Sequence, residues 1–283
     1  MNQSLTNISV IKDLFSRHGF SFTKSLGQNF LINPSICPRM ANSLNELEKN
    51  GTVLEIGGGV GVLTCELSKV CEKVILIEID EKLKPILCET LGDCDNINII
   101  WGDALKIIHN GDFSATNDAP IAVVANLPYY IATHIIMQLF ESGLPLTSIT
   151  AMVQEEVAQR FIATKGSKQY GIISIAANFY SKPKMLFKVS RGSFMPAPNV
   201  DSAVIRFDLK DKNSLPQVCQ KQFFRLVKSA FSERRKQLCN PVSKEFAVNK
   251  DWVKSILKNP NARAEDLSLD EFLDLHSKLN SRE

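Results

Sequence analysis

Asn126-Leu127-Pro128-Tyr129 brings a carboxamide, two backbone carbonyls and an aromatic ring into four residues, with a proline fixing the backbone between them. Such a set can accept both protons of an exocyclic amino group while the base that carries it stacks on the ring. Taken alone, the tetrapeptide is equally a proline-containing turn with a partly buried tyrosine. Its position argues for more. It follows the apolar run Ile121 to Ala125, so it leaves the C-terminal end of a buried strand, where open α/β sheets place their ligands. Three carboxylates occupy comparable places upstream. Glu55 precedes the glycine-rich turn Gly57-Gly58-Gly59-Val60-Gly61, Glu78 closes a second apolar run, and Asp103 follows a third.

Gly57, Gly59 and Gly61 permit a tight turn and close approach of backbone to a ligand. The dinucleotide fingerprint is G-x-G-x-x-G, whereas this turn is G-x-G-x-G with an acid two residues before it. Glu55 would sit beneath the loop and hold backbone N–H groups or a ligand amino group. A carboxylate ending strand two, here Glu78 with Asp80 beyond it, is where a ribose diol is gripped. Asp103 can accept from an adenine amino group. Singly, Asp80 and Asp103 are just as well read as helix N-caps. Together, three acids in order at three successive strand ends fit an adenosine with a cationic amino-acid tail, S-adenosylmethionine. Pyrophosphate would instead want a helix N-terminus free of acids.

The elements that must position these groups follow a rhythm. Thr52–Ile56, Lys73–Ile79, Ile97–Trp101, Ile121–Ala125 and Ile149–Val153 start 21 to 28 residues apart with helical patterns between them. That spacing predicts repeated βαβ units, hence a parallel sheet with right-handed crossovers. Ile172–Phe179 and Ala203–Leu209 read as a late hairpin at the sheet edge. Before the first strand, Ser9 to His18 reads as a short helix, and Asn33-Pro34 as the start of one running to about Leu47. Strand signals end around Lys210–Pro216. Gln217–Leu238, Trp252–Leu257 and Ser268–Leu279 then read as helices, the last with Ser268 as N-cap. The prediction is an α/β domain over 1–212 and a small all-α domain over 213–283.

At 283 residues, 44% hydrophobic and 22% charged, the chain can bury a sizeable core, which excludes disordered and fibrous classes. No apolar run reaches membrane-spanning length, and the N-terminus lacks a signal-type apolar stretch. Seven cysteines without a C-x-x-C pair and four scattered histidines give no metal or disulfide framework, so reduced thiols in the cytoplasm are expected. Charge is uneven. Residues 210–283 hold 15 Lys+Arg against 10 Asp+Glu, a net of +5 within a total of +3, so residues 1–209 carry −2. Residues 157–200 contain no acid, which suits a polyanionic partner.

With these residues assembled, the chain resembles the rRNA adenine N6,N6-dimethyltransferase family. The resemblance rests on Lys24–Leu31 (KSLGQNFL), Glu55–Gly61, Glu78–Asp80, Gly102–Leu105, Asn126–Tyr129, Gln154–Arg160, Phe194–Val204 (FMPAPNVDSAV) and Phe231–Asn240 (FSERRKQLCN). It implies a Rossmann-like class I methyltransferase domain, with a seven-stranded, mostly parallel sheet, followed by a small helical domain. It also implies that Gln28, Asn29, Leu31, Gly57, Glu78, Asp103 and Asn126 line an S-adenosylmethionine pocket, with Glu55, Gly59 and Gly61 completing the glycine turn. Asn126, the Leu127 carbonyl, Pro128 and Tyr129 would receive the target adenine, with Phe194 as a second aromatic face. The family has proline after the first glycine of the turn, and this chain has Gly58.

The implied reaction is dimethylation of two adjacent adenosines near the 3′ end of 16S rRNA, in the 30S subunit, by a monomer that needs no metal. Arg160, Lys182, Lys184, Lys188, Arg191, Arg225, Lys228, Arg234, Arg235 and Lys236 would hold phosphates, with Arg234 equally suited to packing the two domains together. Two alternatives stay open: the related 23S rRNA methyltransferase of the macrolide-resistance type, and a mainly structural small-subunit assembly factor. The FMPAPNVDSAV and FSERRKQLCN segments resemble the small-subunit branch more closely.

Overall fold

A computed structural model describes residues 5–21, 27–111, 113 and 121–281 of the protein, so Lys24 to Leu26 of the KSLGQNFL motif lie outside the described residues. In chain order the first elements are α1 (Ile8–Arg17), β1 (Phe30–Leu31), α2 (Ile36–Ala41) and α3 (Glu46–Lys49). Next come β2 (Thr52–Ile56), α4 (Val62–Ser68), β3 (Lys73–Glu78), α5 (Lys84–Thr90), β4 (Ile97–Trp101) and α6 (Ala104–Asn110). They are followed by β5 (Ala122–Asn126), α7 (Ala132–Glu141), β6 (Ser148–Gln154) and α8 (Glu155–Ile162). The remainder comprises α9 (Ile172–Tyr180), β7 (Ser181–Val189), β8 (Phe194–Met195), β9 (Ser202–Leu209), α10 (Gln220–Ser232), α11 (Cys239–Glu245), α12 (Lys250–Ile256) and α13 (Leu269–Asn280).

Among the described residues a seven-stranded sheet has the order β4-β3-β2-β5-β6-β9-β7. The pairs β2·β3, β3·β4, β2·β5 and β5·β6 are parallel, whereas β9 runs antiparallel to β6, with Met152 opposite Val204. Strand β2 is buried at all five positions, as expected for a parallel sheet covered on both faces. A separate two-stranded pairing sets Leu31 of β1 opposite Phe194 of β8.

Three predicted elements differ. Ile172–Phe179 is not a strand but the helix α9, and the edge strand β7 begins immediately after it. A short helix buried on most of its faces shows neither period, so its β-branched start reads as a strand. The alternation that marks a strand lies in β7 itself, where Lys182, Lys184 and Lys188 are exposed between partly buried neighbours. The helix expected from Asn33 to Leu47 is two short ones. Asn33 accepts from Ser35 instead of opening a long helix, and Asn45 makes a capping box with Glu48 that starts α3 afresh. Residues 217–238 likewise hold α10 only as far as Ser232.

The chain divides into two compact units, residues 1–158 with 184–209, and residues 159–183 with 210–283. The last of the three breaks falls near the expected boundary at 212, but residues 159–183 group with the C-terminal unit rather than the first. Within that unit the reason is aromatic packing. Phe179 lies 5.3 Å from both Phe223 and Phe224, and the Tyr170 hydroxyl donates to the Leu267 carbonyl at 2.9 Å. In the first unit, buried Glu48 pairs with Arg206 at 2.9 Å, and the same guanidinium reaches the Ser43 carbonyl and Asp208, tying α3 to β9. No described helix is long and apolar enough to cross a membrane.

Candidate active site

Strands β2 and β5 are neighbours in the sheet although β3 and β4 intervene in sequence. The chain therefore reverses its direction of winding between them, and the loops leaving their C-terminal ends part to open a crevice. A cleft lies there, and the whole of its described lining belongs to the first unit.

Gly57 and Gly59 line it with φ of 80° and 56°, values that side-chain-bearing residues rarely adopt. A Cβ on Gly57 would stand 3.9 Å from the Asn126 carbonyl oxygen, so the glycine turn and the Asn126 loop adjoin. Gly61 does not line the cleft. It caps α4 with φ 88°, and a Cβ there would meet Leu91 at 2.9 Å, so helix packing requires it. At Gly58 a Cβ would meet Leu76 at 2.7 Å, and its carbonyl accepts from Gly61 at 2.9 Å. The turn is thus closed by its own hydrogen bond and its packing, without the family's proline.

Glu78 is 5% exposed at the end of β3 and lines the cleft. Its Oε1 accepts from Ile79 and Asp80 N–H at 2.9 Å each, and its Oε2 from Gly59 at 3.3 Å. Burial raises its pKa, and these backbone donors pull it back. One oxygen keeps capacity for a ribose hydroxyl. Asp103 lines the same cleft and caps α6, with Oδ1 accepting from Leu105 N–H at 2.9 Å, which leaves Oδ2 for a ligand donor. Gln28 and Asn29 form part of another wall, and Gln28 Nε2 donates to Asp80 Oδ2 at 2.8 Å.

Glu55 is fully buried, and neither of its carboxyl oxygens has a hydrogen-bond partner. Burial pushes its pKa up to about 8; Thr64 opposes the shift and the like charge of Glu78 adds to it. Glu55 is not part of the lining, so it stands beneath the turn and not in the cleft. Two half-satisfied carboxylates at successive strand ends, both lining the cleft, fit the hydroxyl and amino donors of an adenosine.

On the other side, Asn126 is the last residue of β5, and its carboxamide makes no hydrogen bond among the described residues. The Pro128 carbonyl accepts from Ile131 and Ala132, closing the turn into α7, while no described group donates to the Leu127 carbonyl. Tyr129 is held by a 2.5 Å hydrogen bond between its hydroxyl and that of the buried Ser202 on β9. Two further expected members, besides Glu55 and Gly61, are absent from the lining. Leu31 and Phe194, 4% and 3% exposed, face each other across the β1·β8 pair inside a core cluster. Pairing of those two short strands turns both side chains inward, which no local pattern in the sequence shows.

The cleft also includes residues that sequence reasoning missed. Phe30 packs its ring 3.4 Å from where a Gly59 Cβ would be, and Ile79 and Tyr130 are 52% and 61% exposed. Tyr130 adjoins the motif directly, and Ile79 follows the strand-end acid; that adjacency was the available signal.

The proposed phosphate-binding residues divide by pairing. Lys184 bonds Asp208, Lys188 Glu155, Arg225 Glu245 and Lys236 Glu233. Arg234 donates to the carbonyls of Lys168 and Tyr170 and pairs with Glu265, so it braces the second unit internally. Arg160 is exposed on α8 and has a partner of its own. Lys182, Arg191, Lys228 and Arg235 are exposed and form no ion pair among the described residues. No described group of three or more His, Cys, Asp or Glu could hold a metal ion.

A family model described as ribosomal RNA adenine dimethylase matches residues 19–281. The chain is 40% identical to the ribosomal RNA small subunit methyltransferase A of Clostridioides difficile (strain 630), over 98% of each chain. Among solved structures it is similar to a dimethyladenosine transferase from Plasmodium falciparum, with TM-score 0.74 and 26% identity over 89% of this chain and 98% of that one. It is also similar to the 23S rRNA methyltransferase ErmE, with TM-score 0.66 and 24% identity over 89% of this chain and 100% of that one. At that identity the second likeness speaks to the fold alone.

Proposed function

The chain belongs to the ribosomal RNA adenine dimethylase family, and on that premise we propose that it dimethylates N6 of two adjacent adenosines near the 3′ end of 16S rRNA in the small ribosomal subunit. The methyl donor is S-adenosylmethionine. The observation that carries the reading is the unpartnered carboxamide of Asn126, set in the same cleft as Glu78 and Asp103 and beside the glycine turn.

When bound, S-adenosylmethionine would supply an electrophilic methyl group for the adenine N6 lone pair, its sulfur keeping the S–C electron pair. Glu78 and Asp103 hold the adenosine through hydroxyl and amino donors. The Asn126 oxygen and the free Leu127 carbonyl accept the two amino protons, which draws the nitrogen out of conjugation with its ring. Positioning supplies most of the rate, as expected when reacting atoms are held in line roughly 3–3.5 Å apart. The proton shed after alkylation is acidic and passes to water, and no histidine lines the cleft. Tyr129, pinned by Ser202, offers a fixed face to the extruded base, and stacking on it offsets unstacking by about 1–3 kcal/mol. The described lining comes from one chain, which suits a monomer, and an rRNA substrate suits the cytoplasm.

The test is methyl transfer from labelled cofactor to isolated 30S and 50S particles. Label is expected in 16S rRNA, at two adjacent adenosines; label in 23S rRNA instead would sink the reading. Asn126→Ala is expected to cost about 100-fold or more in turnover, the scale of losing one pre-placed polarising group, with cofactor affinity falling less.

A further inference from the structure

Two of the five exposed large hydrophobic side chains among the described residues line one cleft. Ile79 follows the ribose-facing Glu78, on the cofactor side. Tyr130, the most open aromatic of the lining at 61% exposed, follows Tyr129 on the acceptor side. A single exposed tyrosine is ordinary on a protein surface. Three features separate this one from the ordinary case.

First, the other aromatics of the acceptor side are already committed. Phe194 is buried in the core, and Tyr129 is partly buried with its hydroxyl on Ser202. Second, Tyr130 makes no hydrogen bond among the described residues, so nothing in the fold explains a phenol there. Third, its ring lies beside Gly27, over the space that a side chain there would fill. The Cδ1 and Cε1 atoms lie 3.5 and 3.8 Å from where a Cβ on Gly27 would be, and Gly27 holds a left-handed φ of 59°. The ring therefore has Gly27 on that side and is open to solvent elsewhere.

We infer that Tyr130 is a stacking platform for the base next to the target adenosine, and so a positioning residue for the RNA. The inference rests on the methyltransferase reading above. A target base must leave its stack to enter the cleft, and its neighbour then loses a stacking partner. An exposed phenol beside the entrance replaces that partner without reading sequence, because every base has a π-face. The cofactor, held on the opposite side by Glu78 and Asp103, gains nothing from it.

The experiment measures steady-state methylation of 30S particles and cofactor binding by the full-length protein, wild type against Tyr130→Ala, Tyr130→Phe and Tyr130→Trp. The side chain is mostly exposed, so all three variants should fold, which circular dichroism checks. Tyr130→Ala is expected to raise KM for the particle about five- to 150-fold, the range of losing one stacked base, with kcat and cofactor Kd within about twofold of wild type. Phe and Trp are expected to retain wild-type KM. An unchanged KM in Tyr130→Ala overturns the proposal, as does Phe failing as badly as Ala, or cofactor Kd rising in step with KM. Failure of the underlying reading would show differently, as a wild-type protein that transfers no methyl group to 30S particles.

Discussion

Glu55 and Asn126 both have side chains with no hydrogen-bond partner among the described residues, and they differ in kind. Asn126 is neutral and lines the cleft, so its amide costs the fold no buried charge. Glu55 is an acid shut away from water, and its consequence is for stability. Its ordinary pKa of 4.5 rises to about 8 in the folded chain. Between those values the unfolded chain releases a proton that the folded chain keeps, so folding loses stability as pH rises from about 4.5 to about 8. Below that window the acid is neutral in both states and carries no penalty. Without cofactor, Glu55→Gln is expected to melt higher than wild type at alkaline pH, with the difference closing under acidic conditions. Thermal unfolding across that range checks it, and parallel melting curves at every pH would refute it.

At the scale of elements, β7 shows how charge and fold interact. Its exposed lysines guard an edge strand, since a lysine-bearing edge resists pairing with another chain. Lys184 and Lys188 are already engaged by Asp208 and Glu155, whereas Lys182 is not. RNA would have to break the existing pairs before gaining theirs. Replacing Lys182, Arg191, Lys228 or Arg235 is therefore expected to lower the log–log salt slope of 30S binding by about one each. Replacing Lys184, Lys188, Arg225 or Lys236 should lower it less. Affinities measured from low to physiological salt decide between the two groups, and equal slopes for both would discard the distinction.

At the scale of the molecule, the chain has two compact units and one tryptophan in each, Trp101 in β4 and Trp252 in α12. The cleft lies within the first unit. Cofactor at about 100 times its Kd adds about 2.7 kcal/mol to whatever it binds. In Trp252→Phe protein, the unfolding monitored by Trp101 fluorescence is expected to shift up with cofactor. In Trp101→Phe protein, the transition monitored by Trp252 should shift less. Identical shifts would mean that the two units unfold as one.

The sequence by itself determined the parallel strands, the glycine turn, the three strand-end acids and the Asn126 loop. Each rests on a local rule: a short apolar run recurring at βαβ spacing, a backbone that tolerates positive φ, or an acid where a strand stops. The N-cap at Ser268 was legible for the same reason, because the Glu271 amide it accepts from lies within one turn. Tertiary structure alone decided what local rules cannot reach. Whether Ile172–Tyr180 coils or extends depended on what surrounds it, since a segment buried on most sides carries no periodic signal. Whether Phe194 and Leu31 face the cleft or the core depended on a two-residue pairing of β1 with β8, across more than 160 residues of chain. Which cations stay free for RNA depended on acids brought close only by folding. The Asn126 loop was visible as a motif, and the sheet order added its neighbours. Placing β5 beside β2 sets that loop against the glycine turn, and it leaves Tyr130, not Phe194, as the exposed aromatic on the acceptor side.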